Sequence, residues 1–159
     1  MLTLLAIAMA LAADQQAASG TVVTADEIAS TLKQSIANNV VDQPVKAADV
    51  PGGHKASLAL LRRTKAETTA LIHDRVTEIY QITQGSGTIV TGGTLENATA
   101  TDLTRFNAGP SHTGAHKGGE PRHVGVKDVI IIPAGTPHRF SQLDGAEIVY
   151  LVYRFEPKP

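Results

Sequence analysis

The 159-residue sequence contains no cysteine and no tryptophan, and aromatic residues make up only 4% of it. Without cysteine there are no disulfides, no thiolate metal sites and no Cys nucleophile. Neither sign of charge dominates. A formal net charge of −1 gives no electrostatic case for nucleic acid or for an anionic membrane surface as partner. The N-terminal apolar run, Met1 to Leu11, is too short to span a bilayer as a helix. No Ser nucleophile motif and no glycine-rich phosphate loop occur, which argues against hydrolase triads and nucleotide chemistry. No internal repeat is present.

What remains is ordinary globular material, 42% hydrophobic and 18% charged, in a length that suits one domain with a real core. The apolar run ends in Ala10-Leu11-Ala12, an A-x-A site, followed by Asp14 and Gln15. Residues 1–12 therefore read as a secretory signal peptide, and the expectation is an exported protein, periplasmic or secreted. One part of that pattern is missing, since the first basic residue is Lys33.

Residues 13–49 read as an N-terminal segment carrying one amphipathic helix. Thr24 and Glu27 form a T-x-x-E capping box. Ile28, Leu32 and Ile36 recur every four residues, and Asn38-Asn39 is a stop, so the pattern predicts a helix from Ala25 to Ala37. From residue 50 to 159 the pattern changes to short apolar and β-branched runs punctuated by Gly and Pro. That pattern, with no second helix, predicts an all-β antiparallel barrel or sandwich. "TEIYQITQGSGTIVTGG" reads as strand, Gly-Ser-Gly turn, strand. The polar, glycine-rich stretch from Gly92 to Lys127 reads as a long loop.

The chemistry concentrates in two places. In "ALIHDRVTEIYQ", side-chain alternation puts Leu71 and His73 on one face, and Glu78 and Tyr80 on one face of the next strand. A hairpin through Asp74–Thr77 is expected to bring His73 beside Glu78. In "IIIPAGTPHRF", His138 follows a Pro-x-Gly-x-x-His turn, with Phe140 on the same side. Two imidazoles and one carboxylate suit a divalent first-row ion with open coordination positions: Fe, Mn, Zn, Ni or Co. The expected metal ligands are His73, Glu78 and His138; the alternatives are a surface pair at a hairpin end for His73 and Glu78 and a satisfied turn histidine for His138. Leu71, Tyr80 and Phe140 are the expected walls of a substrate pocket, with Tyr80 also able to donate a hydrogen bond or proton, and with simple core packing the equal alternative for Tyr80 and Phe140. No catalytic residue is assigned. His112, His116 and His123 lie in the glycine-rich stretch, where solvated side chains are the ordinary reading and folding over the barrel mouth is the alternative. His54 follows Pro-Gly-Gly as a loop residue. One of Arg62 and Arg63 must face inward or to the rim, where it is able to hold an anion.

In this register the sequence resembles the cupin family. The first cupin motif, H-x-H-x4-E-x6-G, reads here Leu71-x-His73-x4-Glu78-x6-Gly85, and the core of the second, P-x-G-x2-H, is Pro133, Gly135 and His138. The Gly-Asp that often opens the second motif is Lys127-Asp128 here. The resemblance runs from Ser57 to Phe155. It implies a jelly-roll β-barrel, one divalent metal ion per chain and a homodimer. For activity it implies either a metal-dependent enzyme on a small organic molecule (oxygenase, isomerase or lyase) or a non-catalytic cupin that binds a small ligand. The departure is Leu71, which stands where the family has its first histidine and leaves one coordination position without a protein donor.

Overall fold

The computed structural model describes residues 19–157; residues 1–12, read as a signal peptide, lie outside the described residues. No described helix is long and apolar enough to cross a membrane. The described residues form one α-helix and eleven strands. They are α1 (Ala25–Asn38), β1 (Asp42–Val50), β2 (His54–Arg63), β3 (Ala70–His73), β4 (Thr77–Gln84), β5 (Gly87–Thr91), β6 (Thr94–Asp102), β7 (Pro110–Lys117), β8 (Glu120–Val124), β9 (Val129–Ile132), β10 (His138–Leu143) and β11 (Ile148–Glu156). A 3-10 turn, Thr104–Phe106, sits between β6 and β7.

The strands make two antiparallel sheets. Five run in the order β1-β2-β11-β4-β9 and six in the order β6-β7-β3-β10-β5-β8. The chain passes repeatedly from one sheet to the other, so the two sheets face each other as a jelly roll. The interior is filled from both sides by Ala59, Leu61, Tyr80, Ile82, Ile89, Ile132, Phe140, Ile148, Tyr150 and Val152. In β11 five consecutive residues, Ile148 to Val152, are buried, because both faces are covered. Ile148, Tyr150 and Val152 face the interior. Val149 and Leu151 lie under Ile28 and Leu32 of α1.

The helix carries the capping box that its sequence predicts: Glu27 N–H donates to Thr24 Oγ1 and Thr24 N–H to Glu27 Oε2. Asn39 ends it in the left-handed conformation, φ 51°, with its N–H on the carbonyls of Ser35 and Ile36. The apolar stripe is rotated from its expected position. Ile36 is 50% exposed, whereas Thr31 and Ser35 are buried, each satisfied by a backbone carbonyl, Glu27 O and Val40 O.

Three sequence expectations are corrected. The stretch from Gly92 to Lys127 is not a loop; it forms β6, β7 and β8. The sheet begins at Asp42 rather than at residue 50, since β1 pairs with β2 from Asp42↔Leu61 to Val50↔His54, with an irregularity between Pro44 and Lys46. The Gly-Ser-Gly turn does not join a hairpin. β4 belongs to the five-stranded sheet and β5 to the six-stranded one, so the turn is a corner between layers. Gly85 adopts φ 74° there, and a Cβ would collide with the Glu147 carbonyl oxygen, so only glycine fits. On the outer face of the five-stranded sheet, Tyr153, Ile79 and Ile131 are cross-strand neighbours, and the row ends at the edge strand with Ile131 66% exposed.

Candidate metal centre and its chamber

The same layer change separates His73 from Glu78. β3 lies in the six-stranded sheet and β4 in the five-stranded one, so the two residues meet across the interior rather than along a hairpin. His138 joins from β10, whose first residue pairs with Leu71. The Pro133–Thr136 turn is tied to β3 at this point: Gly135 N–H donates to the His73 carbonyl at 2.8 Å, with Gly135 at φ 77°. The Pro-x-Gly-x-x-His motif thus holds His138 relative to His73 through the backbone.

His73, Glu78 and His138 are all buried, and one ligand atom from each lies within 4.8 Å of the others. Glu78 Oε2 is 3.3 Å from His73 Nε2 and 3.4 Å from His138 Nε2. The far ring nitrogens decide which proton each imidazole carries. His138 Nδ1 faces the Thr136 carbonyl at 3.0 Å, an acceptor only, so Nδ1 holds the hydrogen. His73 Nδ1 lies 2.8 Å from Ser111 Oγ, which in turn donates to the Gly109 carbonyl at 3.1 Å, so His73 Nδ1–H donates to Ser111. Both Nε2 lone pairs therefore converge on a carboxylate oxygen. Such an arrangement repels unless a cation sits between the donors or a proton is taken up. The donor set fits a divalent ion: neutral imidazoles, an ionised carboxylate, and fixed tautomers from the supporting hydrogen bonds.

Glu78 is held further by two neighbours. Tyr80 Oη donates to Oε2 at 2.9 Å, and Arg154 Nε donates to Oε1 at 2.8 Å. Arg154 is itself 2% exposed, and it also reaches Asp42 Oδ2 at 2.7 Å and the Phe106 carbonyl at 2.6 Å. Without an ion, burial pushes Glu78 upward, but hydrogen bonds from His138 and His73 when each takes a second proton at Nε2, the charge His73 then carries and that of Arg154 hold it well below the usual carboxylate range. Burial also pulls His138 down, and the hydrogen bond and charge of Glu78 outweigh it, raising the imidazole above its ordinary value. Burial and the Glu78 charge push Tyr80 well up, so it stays a hydrogen-bond donor.

The centre opens into a chamber of about 150 Å³. Leu71 lines it beside His73, as the strand alternation predicts, and Tyr80 lines it too. Phe140 does not; its ring packs 5.3 Å from Tyr150 within the core. Leu103 and Phe106 from the 3-10 turn region and Val41 and Asp42 from the start of β1 complete the wall. Arg63 points inward and lines the chamber, whereas Arg62 pairs with Glu147 at 2.7 Å. The remaining histidines lie away from the centre: His112 on Asp74, His116 on the Gly92 carbonyl and His123 on Asp144. None of them supplies the donor missing at Leu71. His54 opens β2 and is not part of the centre.

Sequence reasoning missed Ser111, Arg154 and Asp42. Arg154 carried a signal. It is the one charged residue within the apolar run "IVYLVYRF", and it shares the inward phase of Tyr150 and Val152.

No family model and no curated protein matches the chain. Solved structures do match. BH2720 from Bacillus halodurans superposes with a TM-score of 0.52 at 17% identity, over 87% of this chain and 83% of that one. The cupin protein BF4112 from Bacteroides fragilis gives 0.41 at 17%, over 67% and 68%. A variant of Streptomyces PAC13 with uridine gives 0.43 at 10%, over 74% and 78%. Two facing antiparallel sheets with a buried His-Glu-His cluster between them define a small jelly-roll barrel with a candidate metal centre. The fold is a jelly roll of two facing antiparallel sheets, shared with BH2720.

Proposed function

We propose that this chain binds one divalent first-row metal ion on His73, Glu78 and His138 and acts on a small organic molecule in the adjoining chamber. The reaction class is that of an oxygenase, isomerase or lyase. The observation that carries the reading is the convergence of two imidazole Nε2 lone pairs on one oxygen of a buried, ionised carboxylate. Fe, Mn, Zn, Ni and Co all suit this donor set. When bound, the ion supplies Lewis-acid or redox chemistry at its open positions.

The chain's own residues then have distinct parts. Ser111 and the Thr136 carbonyl fix the two imidazole tautomers. Arg154 occupies Glu78 Oε1 and leaves Oε2 toward the imidazoles. Tyr80 keeps its proton beside that oxygen. Leu71 makes the open side of the centre apolar. The chamber, about 150 Å³, admits a molecule of roughly six to eight non-hydrogen atoms, since a cavity of that size holds benzene. A second reading, a ligand-binding barrel without turnover, draws support from the closed hydrogen-bond network on Glu78. Arg154, Tyr80 and a protonated His138 satisfy the carboxylate without an ion.

A substitution at Leu71 tests the ion's position. Leu71→His adds a fourth donor on the face already shared with His73. The lost packing costs about 1–2 kcal/mol, which a folded barrel tolerates. Metal retention against a chelator is expected to tighten, with a lower rate of release at matched starting metal content. Unchanged or weaker retention in a folded variant means that Leu71 does not face the ion.

A further inference from the structure

We propose that Arg63 is the anchor for the acid group of a small monocarboxylate whose compact apolar body occupies the chamber. The inference rests on the reading of the barrel interior as a small-molecule site, but not on the metal. A second cavity of about 510 Å³ lies outside the chamber, between the end of α1 and residues 64–69, and is lined by Asn39, Lys65, Thr68 and Thr69 among others. Both cavities are lined by Arg63 and Val41. Arg63 therefore borders both an outer polar space and the inner chamber.

The two spaces differ in chemistry. The inner wall away from the His-Glu-His cluster is largely apolar, formed by Val41, Leu61, Leu71, Leu103 and Phe106. The outer wall carries three threonines, Asn39, Lys65 and Glu67, the last paired with Arg63. A molecule with an apolar body and one anionic end matches that order. The other guanidinium facing the chamber, Arg154, is taken up by Glu78, Asp42 and the Phe106 carbonyl. Arg63 is less committed. Nε donates to Tyr150 Oη at 2.7 Å, and Nη1 pairs with Glu67 Oε1 at 2.9 Å. Among the described residues none accepts from Nη2.

Glu67 sets how strongly Arg63 attracts an anion. It is well fixed: its N–H donates to the Phe140 carbonyl at 2.8 Å, and its Oε2 accepts from Phe140 N–H at 2.9 Å. Its charge opposes that of an incoming carboxylate. Glu67→Gln removes the charge and retains an oxygen to accept from Phe140 N–H. Arg63→Gln removes the anchor. The two substitutions must therefore shift anion affinity in opposite directions, which a general loosening of the barrel does not do.

The probe is benzoate, with neutral benzamide as its isostere, titrated calorimetrically into full-length protein. Each titration is run after chelator treatment and again after metal loading, with metal content measured on the same samples. Benzoate is expected to bind at least about tenfold more tightly than benzamide, as charge-assisted hydrogen bonds require. Arg63→Gln is expected to abolish that preference, and Glu67→Gln to strengthen benzoate binding several-fold. Metal-stripped protein is expected to keep the preference, so a failure of the metal assignment leaves this test intact. Equal binding of benzoate and benzamide would overturn the proposal. So would a shift of the same sign in both variants, or a preference present only with metal bound.

Discussion

Arg154→Met is expected to destabilise the metal-free protein by about 3–5 kcal/mol at neutral pH, because it leaves a buried carboxylate without its cation. Glu78 is 1% exposed and Arg154 2%, and the two stand opposite each other in register on β4 and β11. The guanidinium also ties down the start of β1 through Asp42 and the 3-10 turn through the Phe106 carbonyl. Its loss therefore loosens two segments of the chamber wall together. The pH dependence gives the cause. Glu78 lies well below the usual carboxylate range in the folded chain, so its contribution is present above the unfolded value and is lost as pH falls through the folded one. The gap between wild type and variant is therefore expected to be widest at neutral pH and to narrow in acid. Urea unfolding at several pH values measures it. A gap below about 1 kcal/mol at neutral pH would show that the pair is not desolvated as described.

Metal affinity is expected to fall steeply with acidification, beginning above the ordinary histidine value. His138 donates through Nδ1 to the Thr136 carbonyl, so only Nε2 is left to bind an ion, and a proton competes for that same atom. The nearby Glu78 raises the imidazole above its ordinary value despite burial. A raised value means that the proton is lost only at higher pH, so affinity is fully developed above it. Below it, each displaced proton weakens binding by about tenfold per pH unit. From pH 8 to pH 6 the loss is expected to exceed about tenfold. Competition with a chromophoric chelator follows it. A flat profile down to pH 5.5 would place the ion elsewhere than on His138 Nε2.

How much of this is legible in the sequence depends on where each residue faces. His73, Glu78 and His138 are readable because each sits in a short local pattern, the first two in one stretch and His138 in another, and the structure brings the three together. The capping box is readable because it is local. The layer change at Gly85 is not, because a glycine turn looks the same whether it returns along a sheet or crosses to the other one. β6 and β7 escape for a different reason. Much of β6 is exposed, so no apolar alternation marks it, and Gly114 on β7 reads as a loop residue. In the fold a Cβ at Gly114 would approach Glu96 O at 2.7 Å, so the glycine permits close strand pairing rather than a turn. β1 hides behind Pro44 and the adjacent irregularity, a feature of edge strands. Phe140 shares the inward phase of His138, yet it packs into the core because Tyr150 lies against it. Strand phase gives the face of a residue but not its depth along the barrel. Ser111 and Arg154, which hold His73 and Glu78 in place, are 38 and 76 residues from their partners, and only the folded chain brings them together.

The central claim is that the His-Glu-His cluster holds an ion. It is tested most directly by the metal content of wild type and His138→Ala, each equilibrated by dialysis against the same dilute Zn or Fe(II) solution at pH 8. The expected result is about one ion per wild-type chain and less than about a tenth of that in a folded His138→Ala, where only two protein donors remain. Equal metal content in the two proteins, or none in either, would contradict it.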